Sequence, residues 1–112
     1  MKYIKTFELF YDINNYPKVG DYVLINVDFD NRKLTNFINS TIGKVSTIEL
    51  YSDMEIKYPE HDEIEVEYEY IPSHIRIWFF NKKRKFKIRR IVEFGKTPEE
   101  LELKIASKNY NL

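Results

Sequence analysis

The side chains in this chain most capable of chemistry are charged and fall in two dense runs. KKRKFKIRR, residues 82 to 90, is cationic at seven of nine positions, and EIEVEYEY, residues 63 to 70, carries a glutamate at every second position. Cations that track phosphates beside rings that stack on bases hold single-stranded nucleic acids. On that reading Lys82, Lys83, Arg84, Lys85, Lys87, Arg89 and Arg90 face a phosphate backbone, while Trp78, Phe80 and Phe86 supply stacking surfaces. An acidic protein surface would satisfy the same cations. The third reading is internal. If the two runs form neighbouring strands, opposite charges facing across the sheet contribute roughly 0.2 to 1 kcal/mol per pair and set the register.

The acidic row is ambiguous in the same way. Glu63, Glu65, Glu67 and Glu69 span about 20 Å of one strand face at ~3.3 Å per residue. Such a row resembles a line of phosphates that could occupy the basic groove of a nucleic-acid enzyme. Against this, 18 acidic residues balance 18 basic ones, so there is no global field to imitate or attract a polyanion. Side chains on a strand diverge instead of converging on one point, so the row is a poor divalent-metal site.

Other routes to catalysis are closed or weak. There are no cysteines, which removes disulfides, thiolate metal sites and a thiol nucleophile. His61 and His74 are the only histidines and neither is spaced for ligation with a second strong donor. Ser40, Ser46, Ser52 and Ser73 lack the tight glycine-flanked turn of an activated serine, and the adjacency of Ser73 to His74 is not a dyad. The three glycines stand alone, so no phosphate-cradling loop exists. The expectation is a protein that is not an enzyme and has no metal or cofactor.

The elements that must position these residues follow from length and periodicity. A chain of 112 residues is expected to form a single domain over residues 1–112. MKYIKTFELF is interrupted by Lys5 and Glu8, and no stretch approaches the ~20 apolar residues of a membrane span, so a cytoplasmic location without membrane attachment is expected. Nine tyrosines and eight phenylalanines favour pleated, half-buried surfaces. Phe7, Phe10 and Tyr11 fall on one stripe of a short helix that Tyr16-Pro17 should end. Val19-Gly20-Asp21 punctuates entry into a strand over Tyr22 to Val27. Leu34, Phe37 and Ile38 predict a short helix before a second strand, IGKVSTIEL, in which Gly43 suggests a bulge or a close backbone approach. Residues 51 to 61 read as a connection.

The alternation from Glu63 to Tyr70 predicts a third strand with Ile64, Val66, Tyr68 and Tyr70 on its apolar side. IRIWFF and KFKIRRIVEF read as two more, with Lys85, Lys87 and Arg89 on one face and Phe86 and Ile88 on the other. Alternation can bury only one side of Trp78-Phe79-Phe80, so either a terminal helix covers the outer side or a partner-binding aromatic patch results. Thr97, Pro98 and Glu100 form a capping box opening a helix from about residue 98 to 108. The fold class expected is mainly β within α+β, a small antiparallel barrel or roll of about five strands with helices at both ends.

Within residues 17–72, KVGDYVLI, IGKVSTI and IEVEYEYIP resemble the opening of SH3-like barrels of the KOW and Tudor type, which implies a strongly bent five-stranded barrel. The MKYIKTFE start, the IGKV strand, the YEYIP segment and the EELELKIASKNYNL end are also similar to small uncharacterised proteins of large tailed phages. That resemblance brings no active-site residues. It implies a context, the host cytoplasm, and a partner class, host factors including defence nucleases such as CRISPR effectors. The expected function is therefore a non-enzymatic binding protein acting through its charged and aromatic surface, with a protein partner and possible anti-CRISPR activity. The alternative is a nucleic-acid-binding module using residues 82–90.

Overall fold

The computed structural model describes residues 16–49 and 62–110, with side chains as far as Lys108. The helix expected around Phe7, Phe10 and Tyr11 and the connection at 51–61, with Ser52 and His61, lie outside the described residues.

Five strands form one antiparallel sheet: β1 (Tyr22–Ile25), β2 (Gly43–Glu49), β3 (Glu63–Glu67), β4 (Lys83–Lys87) and β5 (Ile91–Gly95), ordered β4-β3-β2-β1-β5. Helix α1 (Arg32–Ser40) lies between β1 and β2, and α2 (Pro98–Tyr110) follows β5. The domain is thus α+β, as expected. The two edge strands are not paired with each other, and a 3₁₀ turn, Ile88–Arg90, carries the chain from one edge of the sheet to the other. Its ends are tied to residues flanking the inner strands β3 and β1: Ile88 N–H donates to Asp62 O at 2.9 Å and Asn26 N–H donates to Arg90 O at 2.9 Å.

Local chemistry explains each element. Gly20, at φ +95°, takes the third position of the Lys18–Asp21 turn, a backbone region that glycine enters without steric cost. Asn31 caps α1 by accepting from Leu34 N–H at 3.1 Å. Asn39 holds the other end of the helix to the sheet, accepting from Val27 N–H at 2.8 Å and donating to Val27 O at 3.0 Å. In α2, Thr97 Oγ1 accepts from Glu100 N–H at 3.1 Å. The Glu100 carboxylate accepts from Lys96 N–H at 3.2 Å, so the expected box closes one residue before the cap. That backbone bond, with help from Lys104, holds the Glu100 carboxyl below its ordinary pKa.

The core lies on one side of the sheet. Val23, Ile25, Val45, Ile64, Val66 and Tyr68 project from the strands against Leu34 and Ile38 of α1 and against Ile71 and Ile75. Gly43 sits where a Cβ would come 2.3 Å from Val66 Cγ1 and 3.0 Å from Tyr68 Cε1, so the close approach expected there is present. The bulge lies three residues on, where the β2–β3 register shifts between Val45 and Thr47. Helix α2 covers the β5 edge: Lys104 Nζ donates to Phe94 O and Lys108 Nζ to Val92 O, each at 3.0 Å. An open edge is thereby blunted.

Three expectations are corrected. IRIWFF is not a strand, because Ser73–Trp78 winds into a 3₁₀ helix and only Phe80 touches the sheet, through a single bridge to Lys83. KFKIRRIVEF is not one strand but two, broken by the Ile88–Arg90 turn that crosses between the sheet edges. Tyr70 leaves the alternation of β3 and stands exposed while Ile71 turns inward.

Candidate functional site

The acidic and basic runs are adjacent strands. β3 and β4 pair with Glu63 opposite Lys87, Glu65 opposite Lys85 and Glu67 opposite Lys83. The β2 register extends these rows: Glu49 lies beyond Glu63, Thr47 beyond Glu65 and Lys44 beyond Glu67. Lys87 Nζ is 3.4 Å from Glu63 Oε2, and Lys85 Nζ is 3.3 Å from Glu49 Oε1. Glu65 accepts from Ser46 Oγ at 2.9 Å. The outer face is therefore a mosaic of opposite charges that sets the register of three strands. Glu69 lies past the end of β3 and is exposed.

The basic run is divided. Lys83, Lys85 and Lys87 share the outer face. Arg89, expected beside them, lies with Arg90 in the 3₁₀ turn, where both are exposed. Phe86 and Ile88 are buried as expected. Arg84 points the same way as Phe86, with its guanidinium 5.0 Å from the Phe29 ring centroid and 6.0 Å from that of Phe86. Its Nη1 donates to Trp78 O at 2.8 Å, so this cation is a brace for the preceding segment.

That segment, the excursion between β3 and β4, holds the largest exposed apolar side chains among the described residues. Tyr70 is 70% exposed, Ile77 87%, Trp78 47% and Phe80 80%. Helix α2 packs along β5 and β1 and does not cover them. The excursion is firmly mounted from beneath. Phe79 faces inward and closes a triad with Phe37 of α1 and Tyr68, at centroid distances of 5.9 Å and 5.7 Å, and Phe37 and Tyr68 are 5.4 Å apart. The return into β4 is a two-residue hairpin: Phe80 and Lys83 exchange both backbone hydrogen bonds at 2.9 Å, and Asn81 and Lys82 have φ of 51° and 65°. Two successive positive φ values mark a type I′ turn, whose twist matches the strands it joins.

Two buried polar atoms, Tyr68 Oη and Arg84 Nε, have no hydrogen-bond partner among the described residues. Burial pushes the Tyr68 phenol well above its ordinary pKa, against a smaller opposing pull from Arg84. Burial also lowers the Arg84 guanidinium, with Tyr68 acting in the opposite sense.

A groove of about 510 Å³ opens between the strand ends and α2, lined by Tyr22, Lys44, Glu67, Glu69, Lys82 and Glu102. Its carboxylates are interspersed with ammonium groups, so it presents no single charge to a ligand. Among the described residues no three His, Cys, Asp or Glu side chains are grouped to hold a metal, and no helix is long and apolar enough to cross a membrane.

No protein-family model, curated protein or solved structure matches this chain. Sequence reasoning found Trp78 and Phe80 but missed Ile77 and Arg76, because it read all of IRIWFF as strand, and Tyr70, because it extended the alternation of β3 one step too far. The available signal was Pro72-Ser73 ahead of a run whose alternation lasts only from Ile75 to Ile77.

Proposed function

We propose that this chain is a non-enzymatic binding domain that engages a protein partner through Tyr70, Ile77, Trp78 and Phe80. The observation that carries the reading is the exposure of four large apolar side chains on one excursion that is itself anchored by the Phe37–Tyr68–Phe79 triad. Exposed apolar groups bordered by polar residues mark interaction sites, and Trp, Tyr and Arg are enriched among residues that dominate binding energy. A rigid mount means that little ordering entropy is lost on association.

Protein is favoured over nucleic acid for two reasons. Ile77, the most exposed of the four, has no π face on which a base could stack. Lys83, Lys85 and Lys87 already face Glu67, Glu65 and Glu63, so phosphate contacts there would compete with an internal mosaic. The same pairing weighs against the acidic row acting as a nucleic-acid mimic. We read the architecture as an SH3-like barrel, which the strand order and the 3₁₀ turn joining β4 to β5 support. The resemblance to small phage proteins makes a host defence nuclease the first partner class to test, in the host cytoplasm.

The test is site-specific photocrosslinking. A benzophenone side chain replacing Phe80 should yield protein adducts in cells that disappear when Ile77→Ser and Trp78→Ala are added, while the same group replacing Thr47 on the outer sheet face gives none. Equal yields from both positions, or adducts to nucleic acid from position 80, would overturn the reading. A salt series with single-stranded and duplex oligonucleotides should show no binding that falls with salt as phosphate contacts require.

A further inference from the structure

We infer that the excursion accepts a protein segment in which Asp or Glu flanks apolar side chains. This rests on the excursion being the protein-binding surface and adds the chemistry of its partner.

Charge complementarity carries the inference. From Tyr70 to Val92 the chain contains no acidic residue. Arg76 and Lys82 lie on this segment, and both are exposed. Their donors are engaged by backbone carbonyls, Arg76 Nη2 to Ile71 O at 3.1 Å and Lys82 Nζ to Glu69 O at 3.3 Å. A carbonyl satisfies a donor without neutralising its charge. Neither residue forms an ion pair with a described residue, in contrast to Lys85, Lys87, Lys104 and Lys108, each of which stands within 4 Å of a carboxylate. Arg76 and Lys82, on the same segment as the apolar groups, thus keep charges that no carboxylate among the described residues pairs within 4 Å.

The consequence for a partner is directional. A neutral apolar surface closing over Ile77 and Trp78 would take Arg76 and Lys82 partly out of water with nothing in return. A basic surface would be repelled. A carboxylate beside the apolar contacts gains a charge-assisted hydrogen bond, and Arg76 has further N–H donors with which to make it. Such pairing at the rim chiefly speeds association and rejects wrong partners, leaving the apolar anchors to set the lifetime.

The experiment selects binders from a random displayed peptide library on the immobilised chain, in parallel with Trp78→Ala and with Arg76→Glu/Lys82→Glu. Peptides enriched on the wild-type chain and lost on Trp78→Ala should carry Asp or Glu beside Leu, Phe, Trp or Tyr. Their affinity should fall about tenfold or more on the charge-reversed chain, where contacts become repulsive. Should that variant misfold by circular dichroism, Arg76→Gln/Lys82→Gln replaces it, with a smaller fall expected. Trp78-dependent peptides without acids overturn this inference and leave the protein-binding reading standing. Absence of any Trp78-dependent peptide removes both, as does tight Trp78-dependent binding of a deoxythymidine oligonucleotide.

Discussion

Lys87 stands directly opposite Glu63 across the β3–β4 pair, with Nζ 3.4 Å from Oε2. Lys87→Glu puts three carboxylates in one row with Glu63 and Glu49, and should lower stability by about 1 kcal/mol. Exchanging the pair, Glu63→Lys with Lys87→Glu, should recover much of that loss because attraction is restored at the same two positions. Urea denaturation of the single and double variants measures both. A consequence for function studies follows: charge reversal at Lys85 and Lys87 disturbs the sheet first, so lost binding in such variants reports structure unless stability is measured alongside.

Tyr68→Phe should be neutral or stabilising by up to about 1 kcal/mol, since it removes a buried hydroxyl that lacks a partner among the described residues while keeping the ring. The pH dependence follows the same residue. Folding raises its pKa, so above the ordinary tyrosine value of about 10 the unfolded chain loses this proton while the folded chain keeps it. The folded state then binds more protons, and stability falls as pH rises beyond that point. Thermal midpoints measured from pH 8 to 11 should decline less steeply in Tyr68→Phe than in the wild-type chain.

The strands that were legible in advance are those whose environment has two different sides. Ile64 and Val66 alternate with glutamates, and Phe86 with lysines, because one face meets the core and the other water, and a period of two records that. The matched charges of the two runs left their pairing as one open reading among three, and it is the one the β3–β4 register realises. Ser73–Trp78 was not legible, because Ile, Trp and Phe carry strand preference only insofar as a pleated, half-buried surface is there to receive them. With β4 occupied at its outer edge by Phe80 alone, the segment has no ladder to join. The break at Ile88–Arg90 is equally silent: it is required by the crossing between sheet edges, a property of topology that no glycine or proline marks. Period-two reading therefore carried Arg89 onto a face that the chain had already left, while Arg84, expected with Lys82 and Lys83 among the cations of a turn, lies in β4 and donates to Trp78 O.

Gly43→Ala should destabilise by about 1 to 3 kcal/mol, because a methyl group there enters space filled by Val66 Cγ1 and the Tyr68 ring. Combining it with Val66→Ala frees the nearer contact, so the double variant should lose less stability than the two single losses summed. A double-mutant cycle by denaturation tests the coupling. Strict additivity would mean that Gly43 is needed for some reason other than this contact.

Lys82 occupies the third position of the type I′ turn Phe80–Lys83 at φ 65°, where a side chain crowds the backbone and glycine does not. Lys82→Gly should therefore stabilise the domain by about 1 kcal/mol, visible as a higher urea midpoint at unchanged slope. If Lys82 also supplies one of the charges that select an acidic partner, the same substitution should weaken binding of acid-bearing peptides while the fold grows more stable. Stability and affinity would then move in opposite directions at one residue, and strain retained at a hairpin tip is what a functional constraint on that side chain predicts. A variant that is more stable and binds as tightly would show that the lysine is incidental to recognition.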